Sequence, residues 1–147
     1  MPLESLDNLS ADTINLLKEV IKKKKKKDRF ENNRNLSLLS ALSLLLIFMI
    51  LLYLTDLSRV TDPFITFANI LLNPFYLIMI SLISLSFVYY NFFQKKLKKE
   101  KEKLNKVRTE AIEYLNDTKN MNLQDNVELI KKLMREEYDI NLYVKNK

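Results

Sequence analysis

The stretch that decides the fold is Asn35–Thr55, which reads NLSLLSALSLLLIFMILLYLT and contains no charged residue. Ten of its 21 residues are leucine. At about 1.5 Å per residue, a helix of this length measures about 31 Å, close to the ~30 Å thickness of the hydrocarbon layer of a membrane. The stretch is therefore predicted to be a transmembrane helix. A buried core helix is disfavoured, because the rest of the chain is too small and too polar to enclose it.

A second uncharged stretch of 32 residues, Pro63–Gln94, follows a short polar connection at 56–62. It is longer than one span requires. Asp62-Pro63 and Asn73-Pro74 each resemble a helix N-cap followed by proline at the first helical position. A helix could therefore begin at Pro63, at Pro74 or at both. We favour a short interfacial helix followed by a span, because the larger apolar residues before Asn73 share one face. The alternative is one tilted helix with a kink at Pro74.

Charged residues are concentrated in the two arms outside these apolar stretches. Lysine and arginine number nine in residues 1–34, one in residues 35–94 and fourteen in residues 95–147. The positive-inside rule therefore places both termini in the cytoplasm and the connection outside. The predicted fold is an all-α integral membrane helical hairpin in the cytoplasmic membrane. Its segments are a cytoplasmic basic amphipathic arm (1–34), transmembrane helix 1 (35–55), an external connection (56–73), transmembrane helix 2 (74–94) and a cytoplasmic helical tail (95–147).

Both arms are predicted to be helical. Apolar residues at helical spacing begin near Ser10 in the first arm. In the tail, apolar residues recur every seven positions from Leu97, and Glu100 interrupts a second apolar line. The pattern predicts a helix that extends from the second span to about Asp117. Its apolar stripe fits either a weak coiled-coil seam or packing against the first arm. A last helix is predicted from a capping-box pattern at Asp125 to about Asp139.

Small polar residues occur at matched depths in the two predicted spans. Small side chains let helix backbones approach, and hydroxyl groups hydrogen-bond between helices in a membrane. We therefore predict a helix-packing contact formed by Ser40, Ser43, Ser84 and Ser86. The alternative is that each hydroxyl donates to a carbonyl of its own helix.

Lysines lie beside both predicted spans, and six of them are consecutive. Such clusters are attracted to anionic lipid head groups. We predict this contact for Lys22, Lys23, Lys24, Lys25, Lys26, Lys27, Lys95 and Lys96. The alternative is a solvated charge run that only sets the topology. Nucleic-acid binding is disfavoured, because no aromatic residues are interleaved with the six lysines.

The chain contains no glycine, cysteine, histidine or tryptophan. This composition excludes disulfides, cysteine nucleophiles, histidine bases and glycine-rich phosphate loops. No charged residue lies within either predicted span, which argues against a pump or secondary transporter. We therefore expect a non-enzymatic protein with no cofactor and no metal site. Its expected function is a membrane-anchored interaction or scaffolding module that meets a protein partner or a second copy. The alternative is a small oligomeric pore or holin-like protein.

The chain resembles a known protein family in four features: the predicted hairpin, the basic run before it and two segments of the tail. The segments are Glu110–Leu115, which reads EAIEYL, and Met134–Tyr143, which reads MREEYDINLY. With these features the chain resembles the YpbF-type small membrane proteins of bacilli over nearly its whole length. The resemblance implies a bacterial setting and two membrane spans, and it carries no catalytic residue to this chain. The first arm is richer in lysine than the family pattern.

Overall fold

A computed structural model describes residues 9–55, 62–117 and 124–143. Within these ranges the chain forms four α-helices and no strand, so the all-α prediction is confirmed there. The helices are α1 (Ala11–Thr55), α2 (Pro63–Leu72), α3 (Pro74–Asn116) and α4 (Gln124–Tyr138). α1 and α3 have 45 and 43 residues, and each is long and apolar enough to cross a membrane.

The predicted arms and spans form continuous helices. α1 runs without a break through the predicted boundary at 34/35, and α3 runs through the one at 94/95. Neither helix contains glycine or an internal proline, so every internal residue keeps its backbone donor and none has the conformational freedom of glycine. The two boundaries therefore mark changes in side-chain chemistry rather than changes in backbone conformation.

Side-chain caps explain where α1 and α2 begin. Ser10 precedes α1, and its hydroxyl oxygen accepts the N–H of Thr13 at 3.2 Å. Asp62 precedes α2, and its Oδ1 accepts the N–H groups of Phe64 and Ile65 at 2.8 and 3.4 Å. These bonds satisfy donors that have no partner inside a helix.

Asn73 separates α2 from α3. Its backbone is extended, with φ −78° and ψ 115°, and its Oδ1 accepts the N–H of Phe75 at 3.0 Å. The residue thus ends one helix and caps the next. Of the two sequence alternatives for this region, the structure has the separate short helix rather than one kinked helix.

The chain divides into two compact units, which we call the terminal unit (residues 1–29 and 97–147) and the hairpin unit (residues 30–96). The terminal unit has an apolar core supplied by α1, α3, α4 and the segment after α4. The tail therefore packs against the first arm. The sequence left this packing and a coiled-coil seam as alternatives for the apolar stripe of the tail. The buried core residues are Leu17, Val20, Ile21, Val107, Ala111, Ile112, Leu115, Ile130, Met134, Ile140 and Leu142.

In the hairpin unit, α1 and α3 contact each other near both ends. Tyr76 is buried, and its ring packs edge-on against Phe48 with centroids 5.9 Å apart. The hydroxyl group of Tyr76 hydrogen-bonds to that of Thr55. Toward the other end, the rings of Phe30 and Phe93 lie 6.4 Å apart. These contacts hold the two helices side by side within the unit.

The outer surface of the hairpin unit is apolar. In the most apolar 18-residue stretch of α1 and of α3, only 6% of residues are buried. Leu36 and Val88, for example, are 67% and 63% exposed. The core helix of a soluble protein would be mostly covered, whereas the described residues of this chain leave these side chains uncovered.

Candidate functional site

The six-lysine run lies in the part of α1 that belongs to the terminal unit. Lys24 Nζ donates to Asp139 Oδ2 at 2.7 Å and lies 3.6 Å from Asp28 Oδ1. Lys26 Nζ lies 3.5 Å from Glu100 Oε1. Thus α3 and the segment after α4 each supply a carboxylate to the lysine run, which joins the three parts of the unit.

Glu100 is the buried acid of this arrangement, with 5% of its surface exposed. Its Oε1 accepts a hydrogen bond from Lys103 Nζ at 2.9 Å. This hydrogen bond, with the charges of Lys103 and Lys26, holds the pKa of Glu100 below its ordinary value, although desolvation acts in the opposite direction. Its Oε2 is buried and accepts no hydrogen bond from the described residues. Glu100 is therefore an ionised side chain held inside the unit.

Asp139 follows α4 with φ 53°, in the left-handed region where glycine is usual. Aspartate tolerates this region better than most residues, which suits a chain without glycine. The N–H of Ile140 donates to the carbonyl oxygen of Met134 at 2.9 Å and closes the helix end. The hydrogen bond from Lys24, and then its charge, lowers the pKa of Asp139.

An open cleft of about 310 Å³ lies where α1 meets the end of α4. Six of its eight lining residues are charged, and Ile21 is its one aliphatic residue. Among the described residues there is no group of three or more side chains suited to hold a metal ion. The lining residues are Ile21, Lys24, Lys25, Asp28, Glu136, Glu137, Tyr138 and Asp139.

The predicted lipid-contacting lysines fall into two groups. Besides Lys24 and Lys26, Lys23 lies 3.9 Å from Glu19 and Lys27 lies 3.2 Å from Asp28. Lys22 and Lys25 are exposed and have no acidic partner within the described ranges. In the hairpin unit, Lys95 and Lys96 are also exposed. The lysines most available to an anionic surface are therefore Lys22, Lys25, Lys95 and Lys96.

The four predicted packing serines are not brought together by hydrogen bonds. Ser40, Ser43 and Ser84 are exposed, and Ser86 is half-buried. The hydroxyl group of Ser86 donates to the carbonyl oxygen of Leu82 in its own helix at 3.0 Å. In the described part of the chain, none of the four hydroxyls bonds to the facing helix. Their packing role stays a prediction.

Sequence reasoning missed the roles of Glu100 and Asp139. Glu100 appears in the sequence only as an interruption of an apolar stripe, and Asp139 as part of an acidic group at a helix end. One sequence feature indicates such a role for Glu100. A single acid within an apolar face, in a chain with six consecutive lysines, can be buried only with a cationic partner.

The sequence model of one protein family matches residues 16–145, which includes both described units and their connections. The family is described as a protein of unknown function, DUF2663. No curated protein and no solved structure is significantly similar to the chain. The match spans far more than half of the sequence, and so the chain belongs to the DUF2663 family.

Proposed function

We propose that the protein is a non-enzymatic membrane-anchored interaction or scaffolding module whose terminal unit binds a protein partner or a second copy. The observation that supports this proposal is the shared apolar core of α1, α3 and α4. A tail that only followed a membrane anchor would not need to fold around the first arm. The terminal unit instead presents a charged cleft on a defined surface.

The membrane part of the proposal rests on the apolar exterior of the hairpin unit. Long helices with uncovered leucine, isoleucine and phenylalanine side chains are stable where lipid is the solvent. If α1 and α3 each cross once, both arms emerge on the same side, as their common core requires. The distribution of lysine and arginine supports the cytoplasm as that side.

Anionic lipid head groups are the second proposed partner, and Lys22, Lys95 and Lys96 supply the contact, whereas Lys25 lines the cleft. Each such lysine near a membrane surface contributes about 1 kcal/mol of attraction. On the tail pattern at 134–143, we also propose a bacterial setting like that of the YpbF-type proteins.

Photo-cross-linking in native membranes tests the interaction proposal. A photoreactive residue at Lys25 should capture a specific partner or a second copy. The Glu136→Lys/Glu137→Lys variant, which reverses charge on the cleft wall, should lose the captured species. Glu102→Lys, an exposed charge reversal that does not line the cleft, is the matched control. A captured species that persists in the cleft variant and after truncation at Lys119 would refute the proposal.

A small oligomeric pore is the second candidate, favoured by the exposed hydroxyls of Ser40, Ser43 and Ser84 on apolar helices. In an oligomer these hydroxyls could line a shared polar path. Purified protein in vesicles should then release a trapped dye, and alanine at the three positions should reduce the release. Vesicles that retain the dye at high protein content would count against the pore.

A further inference from the structure

α2 separates its exposed apolar residues from its polar ones, and half-buried Ile70 lies beside Thr66 outside the arc of exposed apolar residues. At about 100° per residue, its exposed apolar side chains cover an arc of about 160°. We call these residues the apolar arc. The opposite side carries Asp62, Thr66, Asn69 and Asn73, which follow one another at helical spacing. The residues of the apolar arc are Phe64, Ile65, Phe67, Ala68, Leu71 and Leu72.

The apolar arc is uncovered by the described residues of the chain. No residue of α2 is buried, and Phe64 and Leu72 are 86% and 78% exposed. The half-buried positions are Asp62, Thr66 and Ile70, which lie outside the apolar arc, and Asn69 and Asn73 are exposed. An amphipathic helix on a water-soluble protein has the opposite pattern, with its apolar side covered. The apolar arc of α2 therefore needs another apolar environment.

The length and ends of α2 limit where it can lie. Ten residues make a helix of about 15 Å, half of the ~30 Å needed to cross the hydrocarbon layer. Asp62 at its first end carries a charge that stays near water. Asp62 caps the first end of α2, and at the other end the N–H of Asn73 donates to the carbonyl oxygen of Asn69. These properties fit a helix that lies along the membrane surface rather than across the bilayer.

A second copy of the chain would cover the apolar arc less completely than lipid acyl chains. A helix–helix seam uses a narrower stripe than about 160°. A single partner helix would therefore leave part of the apolar arc uncovered. Lipid acyl chains, by contrast, can cover a wide arc without a complementary surface.

We propose that α2 lies at the boundary between head groups and acyl chains on the external side of the membrane, with its apolar arc inserted among the acyl chains. This inference rests on the membrane location given under the proposed function. α2 carries no lysine or arginine. Its contact therefore depends on apolar insertion and does not require anionic lipid.

The absence of tryptophan makes a direct test practicable. In full-length protein reconstituted in zwitterionic vesicles, Phe67→Trp should show blue-shifted emission. Lipids brominated near the head-group end of the acyl chain should quench it more strongly than lipids brominated near the chain middle. Phe64→Trp is a second reporter on the arc, and Asn69→Trp on the polar side should be quenched less.

Leu45→Trp, at the centre of the apolar stretch of α1, separates the two proposals. It should be quenched most by the deeper bromines. If Leu45→Trp is quenched and both arc variants are not, the α2 inference is overturned and the membrane location stands. If none is quenched, both are overturned. Arc quenching that falls as protein content rises would show that a second copy covers the arc, which also overturns the inference.

Discussion

Lys24 and Lys26 show how consecutive like charges are accommodated in a small folded unit. Each lies beside a carboxylate from a distant segment, and Lys24 and Asp139 are 115 residues apart in the chain. Opposite charges at these distances reduce the repulsion along the run. The sequence predicts the run itself, because it is local. It does not predict the partners, because they depend on how α3 and α4 return to α1.

The first prediction concerns Glu100. Glu100→Gln should lower the free energy of local unfolding of the terminal unit by about 1 kcal/mol at neutral pH, since its lysine partners are about half exposed and solvent weakens the pairs. Hydrogen exchange of α3 and α4 amides in the detergent-solubilised full chain measures this. Glu102→Gln, an exposed carboxylate on the same helix, should leave the exchange unchanged.

The stability difference between the native chain and Glu100→Gln should depend on pH. The folded state lowers the pKa of Glu100, so its stabilising contribution is present above the unfolded-state pKa of about 4.3. The contribution is lost as pH falls through the lower folded-state pKa. The native chain and Glu100→Gln should therefore converge in stability under acidic conditions. A difference that stays constant down to strongly acidic pH would contradict an ionised Glu100.

Asp139 allows backbone and charge effects to be separated. Asp139→Gly should be at least as stable as the native chain, because glycine adopts φ 53° freely and the lost ion pair is exposed. Asp139→Asn should be close to native, and Asp139→Ala should be the least stable of the three. Thermal unfolding followed by circular dichroism gives the order. Asp139→Gly as the least stable variant would show that the Lys24 pair dominates.

At the scale of elements, docking of α4 depends on its buried side. Met134 is fully buried in the core of the terminal unit, whereas Leu129 on the same helix is 50% exposed. Met134→Ala should cost about 2–5 kcal/mol and raise amide exchange throughout α4. Leu129→Ala should cost far less, which makes it the matched control. Equal effects from the two substitutions would contradict the packing of α4.

The sequence predicts several helix ends and the extension of α3 beyond the second apolar stretch, but it does not predict the unbroken course of α1. Asp62-Pro63 and Asn73-Pro74 identify the starts of α2 and α3 because capping and proline geometry are local. The continuity of α1 past Asn35 was not predicted, because a change in hydropathy resembles a boundary although the backbone continues. Burial of Glu100 is not predicted either, because an apolar repeat identifies buried positions by their hydrophobic side chains, and an acid in that repeat resembles a break in it.

At the scale of the whole molecule, the proposed topology makes a labelling prediction. The chain has no cysteine, so single-cysteine variants report one position each. Asp12→Cys and Glu137→Cys should be protected from an impermeant maleimide in intact cells and react after permeabilisation. Ser58→Cys, in the predicted external connection, should react before permeabilisation. Opposite accessibility of Asp12→Cys and Glu137→Cys would contradict a common core for the two arms.

The long separation between Lys24 and Asp139 also sets an order of events during synthesis. A ribosome adds about 5–20 residues per second, so Asp139 is made roughly 6–23 s after Lys24. In the later part of that interval, after the apolar stretch of α1 has been made, the lysine run still lacks its last carboxylate. Newly made chains therefore present more uncompensated positive charge to the membrane than finished ones, and closure of the terminal unit withdraws part of it.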